Sequence, residues 1–162
     1  LADTSEKTTR LHTAHHLLLK ALQTVLGPEV KQRGSNITSE RLRIDFSYGQ
    51  KMTTEQKADV ERIVNDRIAE ALPVVRSTLP KNEAEMLGAE HEFGTKYPDM
   101  VSVYSVGPVG ASEAEPRFAE AYSIEFCGGP HVQNTSELSG TFKILKEEAV
   151  ASGIRRIKAT LV

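Results

Sequence analysis

The feature that most constrains this chain is a pair of short stretches more than a hundred residues apart. Its lone cysteine lies in Ser123-Ile124-Glu125-Phe126-Cys127-Gly128-Gly129-Pro130-His131-Val132. Gly-Gly-Pro ends the preceding strand-like run and turns the chain, so Cys127 and His131 can converge on one point. Near the start, Leu11-His12-Thr13-Ala14-His15-His16-Leu17-Leu18 holds His12 and His16 at helical i,i+4 spacing, which places both imidazoles on one face. The stripe Leu11, Ala14, Leu18, Leu22, Val25 marks the core face of that helix, and His12 and His16 point well away from its centre. His15 falls at the edge of the stripe, as a packed histidine or a support for a ligand. Either short motif alone is also compatible with surface histidines. Together they supply one thiolate and three imidazoles, the donor set of a tetrahedral zinc site. A fold that uses this set must bring its first helix against a loop near its C-terminus.

Composition excludes several function classes. Lys and Arg number 20 against 22 Asp and Glu, a net charge of -2. No global positive field therefore announces a nucleic-acid partner, and any RNA contact must be a local patch. One cysteine excludes an intrachain disulfide framework and fits a reducing compartment. No run of about 18 apolar residues and no signal peptide is visible, so the expected location is the cytoplasm, with no membrane partner. No phosphate-binding glycine loop points to a nucleotide cofactor.

Periodicity gives the elements. Residues 1–8 read as a loose polar segment and 9–162 as one domain. A helix is expected from Arg10 to Leu26, with Thr8 or Thr9 as N-cap, and Gly27-Pro28 ends it. Val30 to Asn36 and Arg41 to Tyr48 read as strands, the second from the alternation of Leu42, Ile44 and Phe46 with Arg41, Arg43 and Asp45. Thr53-x-x-Gln56 reads as a capping box opening a helix from Thr54 to Ala71. Leu72 to Thr78 is an expected strand, and Pro80 opens a weak helix through Leu87. His91 to Asp99 is a loop. Further strands are expected over Met100 to Val106, Phe118 to Phe126, Gly140 to Glu147 and Ile154 to Leu161. The fold class is α+β, a mostly antiparallel sheet with two long helices packed on one face.

HxxxH near the start and CGGxH near the end resemble the editing domain of alanyl-tRNA synthetases and the freestanding AlaX-type trans-editing proteins. The resemblance extends to Gln32-Arg33-Gly34-Ser35. It continues in Glu40-Arg41-Leu42-Arg43-Ile44-Asp45-Phe46, similar to the family's ERLRFDF. Phe93-Gly94-Thr95-Lys96-Tyr97-Pro98-Asp99 is similar to FGEKYGD, and Gly153-Ile154-Arg155-Arg156-Ile157-Lys158-Ala159 to GVRRIEA. It runs from about Thr9 to Ala159. It implies an α+β fold and hydrolysis of mischarged aminoacyl-tRNA, Ser-tRNA(Ala) or Gly-tRNA(Ala). It also implies a zinc ion on His12, His16, Cys127 and His131, and tRNA as partner. An alanine pocket cannot exclude glycine by size and rejects serine imperfectly, so a second hydrolytic site corrects the errors. Four protein ligands fill a tetrahedral ion, which leaves open a structural or an orienting role.

The resemblance gives Gln32 a place near the substrate. Glu125, two before Cys127 on a strand, points to the side of the thiolate, where it can orient a ligand, act as a base, or form an ion pair. Gly128 and Gly129 allow backbone amides to approach a ligand. Lys143, Lys146, Arg155, Arg156 and Lys158 cluster in the last two strands, as a solvated face or as contacts to tRNA phosphates. Pro130-His131-Val132-x-Asn134-Thr135 instead resembles the related editing domain of bacterial threonyl-tRNA synthetases. This implies a rival reading, metal-free editing of Ser-tRNA(Thr). A non-catalytic, zinc-stabilised tRNA-binding module is the third. The absence of a long helical extension after the arginine pair leads us to expect a freestanding protein.

Overall fold

In the computed structural model, residues 5–91 and 95–162 are described. Phe93 and Gly94 of the FGTKYPD stretch, and residues 1–4 of the N-terminal segment, lie outside them. The first helix, α1 (Glu6–Leu26), begins earlier than its sequence suggests. Ser5, not Thr8 or Thr9, is the N-cap and accepts the Thr8 N–H. Glu6 to Thr8 therefore belong to the helix, and Thr8 is fully buried in its first turn. Strands β1 (Gln32–Ile37) and β2 (Leu42–Ser47) follow, then α2 (Thr54–Ala69). The Thr53/Gln56 capping box forms in both directions, Gln56 N–H to Thr53 Oγ1 at 3.0 Å and Thr53 N–H to Gln56 Oε1 at 2.9 Å.

Next come β3 (Val74–Pro80), the short α3 (Lys81–Met86), β4 (Met100–Val106) and β5 (Ser123–Phe126). The strand expected from Phe118 is shorter at its start: Phe118–Glu120 is a 3-10 turn. Arg117, in the left-handed region at φ 54, donates to Val109 O and pairs with Glu120, which curls the chain before it can extend. The last two strands are β6 (Phe142–Ala151) and β7 (Ile154–Leu161). β6 outruns its expected end because two register shifts let it follow β7 further.

All pairings within the sheets are antiparallel, but the strands form two sheets, β1-β2-β7-β6 and β3-β4-β5. Helices α1 and α2 pack on the four-stranded sheet. Leu42, Ile44, Phe46, Ile157 and Ala159 of its inner face are fully buried with Leu17, Leu18 and Leu22 of α1 and Val60 and Val64 of α2. The edge strand β6 is covered by α2 through side chains. Asn65 both accepts from Phe142 N–H at 2.8 Å and donates to its carbonyl at 3.1 Å, and Glu61 accepts from Ile144 N–H at 3.0 Å. These bonds satisfy backbone groups that an open edge would leave unpaired. A smaller core of Ala84, Ala89, Val101, Val103 and Phe126 holds α3 on the three-stranded sheet. A cleft of about 820 Å³ opens where β1 of one sheet faces β5 of the other across α1. Among the described residues, no helix is long and apolar enough to cross a membrane.

Candidate metal centre

Three elements meet at the cleft. α1 supplies the histidine pair, β5 ends at Phe126 and delivers Cys127, and the Gly-Gly-Pro turn returns His131. The turn is anchored beyond His131 by Val74 N–H donating to Gln133 O at 2.9 Å and Thr135 N–H to Leu72 O at 2.9 Å. Gly129 adopts φ 79, and a Cβ there would lie 2.5 Å from the Tyr104 hydroxyl. Glycine is therefore required both by conformation and by space.

His12, His16, Cys127 and His131 each offer a ligand atom, and these atoms lie within 4.8 Å of one another. Hydrogen bonds fix which ring nitrogens face inward. His12 Nδ1 is 3.0 Å from the carbonyl of Pro130, a pure acceptor, so Nδ1 carries the proton and Nε2 presents a lone pair to Cys127 Sγ at 3.4 Å. Thr13 Oγ1 donates to Thr9 O at 3.3 Å and receives Val132 N–H at 3.2 Å, so it accepts from His131 Nδ1 at 3.0 Å. His131 Nε2 is thereby free to face Cys127 Sγ at 3.2 Å. Ligand-to-ligand separations in a tetrahedral zinc site are roughly 3.3–3.8 Å given bonds of about 2.0–2.3 Å. The His12 nitrogen–sulfur distance of 3.4 Å falls within that spacing and the His131 one, at 3.2 Å, just short of it, and the oriented second nitrogens are what a metal-binding histidine needs.

The electrostatics favour ligation at Cys127 and His131 and work against it at His16. Burial alone pushes the Cys127 thiol up, but the contacts with His12 and His16 outweigh it and bring the thiol down to about 6. Gly129 N–H also points at the sulfur, at 3.4 Å. Burial works against a charge on His16, yet the Glu125 carboxylate and Cys127 more than offset it and raise its pKa. His131 is driven the other way, first by burial and then by its histidine neighbours, which keeps its imidazole neutral. A metal requires a thiolate and neutral imidazoles; Cys127 and His131 already lean that way, whereas His16, held toward its charged form by Glu125 and Cys127, would release a proton on binding.

Glu125 is 6% exposed and its Oε2 lies 2.9 Å from His16 Nε2. Of the alternatives open in the sequence, the ion pair is the one formed here, and its partner is one of the four candidate ligands. Gln32 lines the same cleft from β1, at a register shift between Gln32 and Gly34 that displaces the strand from regular pairing. His15 is buried, with Nε2 unpartnered, and lines the cleft beside Leu19.

The face expected to carry only the two histidines is more covered than the apolar stripe indicates. His16 is 4% exposed, because β5 and the turn pack over it. Sequence reasoning did not single out Thr13 or Tyr104. Thr13 is a buried hydroxyl adjoining His12, and its only cue is a polar residue within an apolar helix. The Tyr104 ring lies 4.4 Å from that of His131. Exchanging Thr13 for valine leaves the His131 Nδ1–H and Val132 N–H without their acceptor. We expect metal affinity to fall about 10- to 100-fold, the effect of removing a ligand's orienting partner, with the helix intact by circular dichroism. Competition with a chromogenic chelator measures it.

The five basic residues of β6 and β7 do not line the cleft. Arg156 forks onto Asp45 at 2.7 and 3.0 Å and holds that carboxyl below its usual range. Arg155 is committed to the buried Glu147. Lys146 and Lys158 flank Glu148 at 3.2 and 3.9 Å, and Lys143 is exposed.

Comparison with known proteins follows the same line. Residues 101–158 match the family described as "Threonyl and Alanyl tRNA synthetase second additional domain". The whole chain is 52% identical to the alanine–tRNA ligase of Borrelia garinii subsp. bavariensis over 162 residues, 25% of that protein. It is 50% identical to that of Treponema denticola over 161 residues, covering 99% of this chain and 24% of the relative. With that of Halalkalibacterium halodurans it shares 48% over 148 residues, 91% of this chain and 15% of the relative. The chain thus spans a quarter or less of these relatives. Along its whole length the chain is similar to one stretch of the alanine–tRNA ligases, and within it residues 101–158 match the second additional domain of threonyl and alanyl tRNA synthetases.

Proposed function

We infer that this domain hydrolyses the ester joining a wrong amino acid to tRNA, with Ser-tRNA(Ala) or Gly-tRNA(Ala) as substrate, in the cytoplasm where tRNA is charged. The observation that carries the reading is the convergence of His12, His16, Cys127 and His131, with the inward nitrogens of His12 and His131 fixed by Pro130 and Thr13. It stands at a cleft large enough for an aminoacyl group and the terminal nucleoside. Zinc would be held by these four residues, and it would polarise the ester carbonyl only by expanding its shell beyond them.

Four protein donors fill a tetrahedral ion, so placing the attacking water falls to the chain itself. Glu125 is the carboxylate beside the cluster, and its buried position makes it the base that takes the water's proton. Gln32, on the opposite wall, orients the water or the aminoacyl group through its amide. Cys127 stays a thiolate through its histidine contacts and Gly129 N–H. In this reading the exposed lysines of β6 and β7, with Arg156, meet tRNA phosphates, contacts that position the RNA without reading its sequence.

A metal-free reading has one observation in its favour: Cys127 lies 3.2 Å from His131, and its histidine contacts lower the thiol pKa without any ion. Deacylation of Ser-tRNA(Ala) and Ser-tRNA(Thr), with zinc quantified in the same preparation, separates the two. Preferential release of serine from tRNA(Ala) by zinc-loaded protein is the expected result. Preference for tRNA(Thr) without metal supports the rival, and no cleavage of either ester by folded protein contradicts hydrolytic editing of these substrates.

A further inference from the structure

The cleft holds a second carboxylate that the mechanism above does not use. Glu90 lies just before the loop to β4 and is laid against β5 as a short parallel bridge. Its N–H donates to Ile124 O at 2.9 Å and its carbonyl receives Phe126 N–H at 2.8 Å, which sets Glu90 opposite Glu125. Residues directly paired across neighbouring strands project to the same side. Both side chains accordingly line the cleft. Glu125 is occupied by His16. Glu90 is held instead by Lys31, the residue just before β1, with Nζ at 3.3 and 3.4 Å from the two carboxylate oxygens. The lysine side chain is 54% exposed and the glutamate 24%. Such an exposed, two-sided, long contact is a weak pair, and a better-placed cation displaces it.

An aminoacyl ester carries one fixed cation, its α-ammonium, about 2.5 Å from the ester carbonyl carbon by bond geometry. Neighbouring strands are about 4.8 Å apart. A carbonyl held beside Glu125 and Cys127 therefore puts the α-ammonium within charge-assisted hydrogen-bonding reach of the next carboxylate along, about 2.7–2.9 Å. Building on the editing reading, we propose that Glu90 binds the α-ammonium of the aminoacyl group and that Lys31 occupies Glu90 until the substrate arrives. Glu90 is then a positioning residue, setting the ester against Glu125 and the metal centre.

The test compares seryl-tRNA(Ala) with the same ester bearing an α-hydroxyl in place of the α-ammonium, prepared by deamination. With E90Q, kcat/KM for the seryl ester is expected to fall about 10- to 100-fold, the loss of one charge-assisted contact. For the hydroxy ester, E90Q and the unaltered protein are expected to agree within about twofold. Lys31→Met frees Glu90 and is expected to raise kcat/KM for the seryl ester by about two- to fivefold, through KM. An equal fall on both esters, or no fall on either, overturns the assignment and leaves editing standing. If the unaltered protein cleaves neither ester, the editing reading fails and the assignment fails with it.

Discussion

Alanine in place of Cys127 is expected to reduce bound zinc from about one per chain to less than about a tenth, and hydrolysis of Ser-tRNA(Ala) by at least about a hundredfold. Cys127 is the only sulfur donor at the centre, and it stands 3.4 Å from His12 Nε2 and 3.2 Å from His131 Nε2. Alanine removes a donor and also the negative charge that the inward-facing imidazoles share. The effect should be larger than that of Thr13→Val, which leaves all four donors in place and only loosens one. Elemental analysis and a single-turnover deacylation assay on the same sample check it. A site in which the cysteine only fills space predicts unchanged zinc and a modest change in melting temperature.

The second large effect is on the fold. Phe46→Ala should destabilise the domain by about 3–5 kcal/mol, which for a chain of this size lowers Tm by roughly 6–20 °C. Phe46 is fully buried on β2, an interior strand of the four-stranded sheet, where β1 and β7 flank it. It belongs to the core shared by α1, α2, β2 and β7, so a cavity there is bounded by elements pinned on several sides and collapses poorly. β1 pairs with β2 and lines the cleft, and so the same substitution should also loosen Gln32. Urea unfolding measures the change, and a loss below about 1 kcal/mol would mean that this sheet is not the stabilising centre.

Which parts of this molecule were legible in its sequence follows from the range of the interactions. The alternation around Leu42, Ile44 and Phe46, the Thr53/Gln56 box and the Ile154–Leu161 strand are settled by neighbours a few residues away, and they fold as their pattern indicates. The convergence of the four candidate ligands was legible for a chemical reason. Cysteine and histidine are scarce here, and few arrangements other than a site bring HxxxH and CxxxH together. The division into two sheets was not legible, because every local segment is satisfied either way and the choice rests on which strands pair at long range. The burial of His16 was hidden likewise: the helical stripe reports one apolar face, whereas β5 and the Gly-Gly-Pro turn cover another. The start of α1 was misplaced because Ser5 and Thr8 are both acceptable caps, and only burial of Thr8 decides between them. Among the basic residues, Arg155 and Arg156 looked equivalent. Register places Arg155 opposite Phe46, beside the buried Glu147, and Arg156 opposite Asp45.

The most direct test of the metal centre is X-ray absorption at the zinc edge on protein purified without added metal. The account predicts about one zinc per chain, with one sulfur at about 2.3 Å and three nitrogens at about 2.0–2.1 Å, and the sulfur shell absent in any zinc restored to Cys127→Ala. Metal-free protein that still deacylates Ser-tRNA(Ala), or zinc bound without a sulfur neighbour, would contradict it.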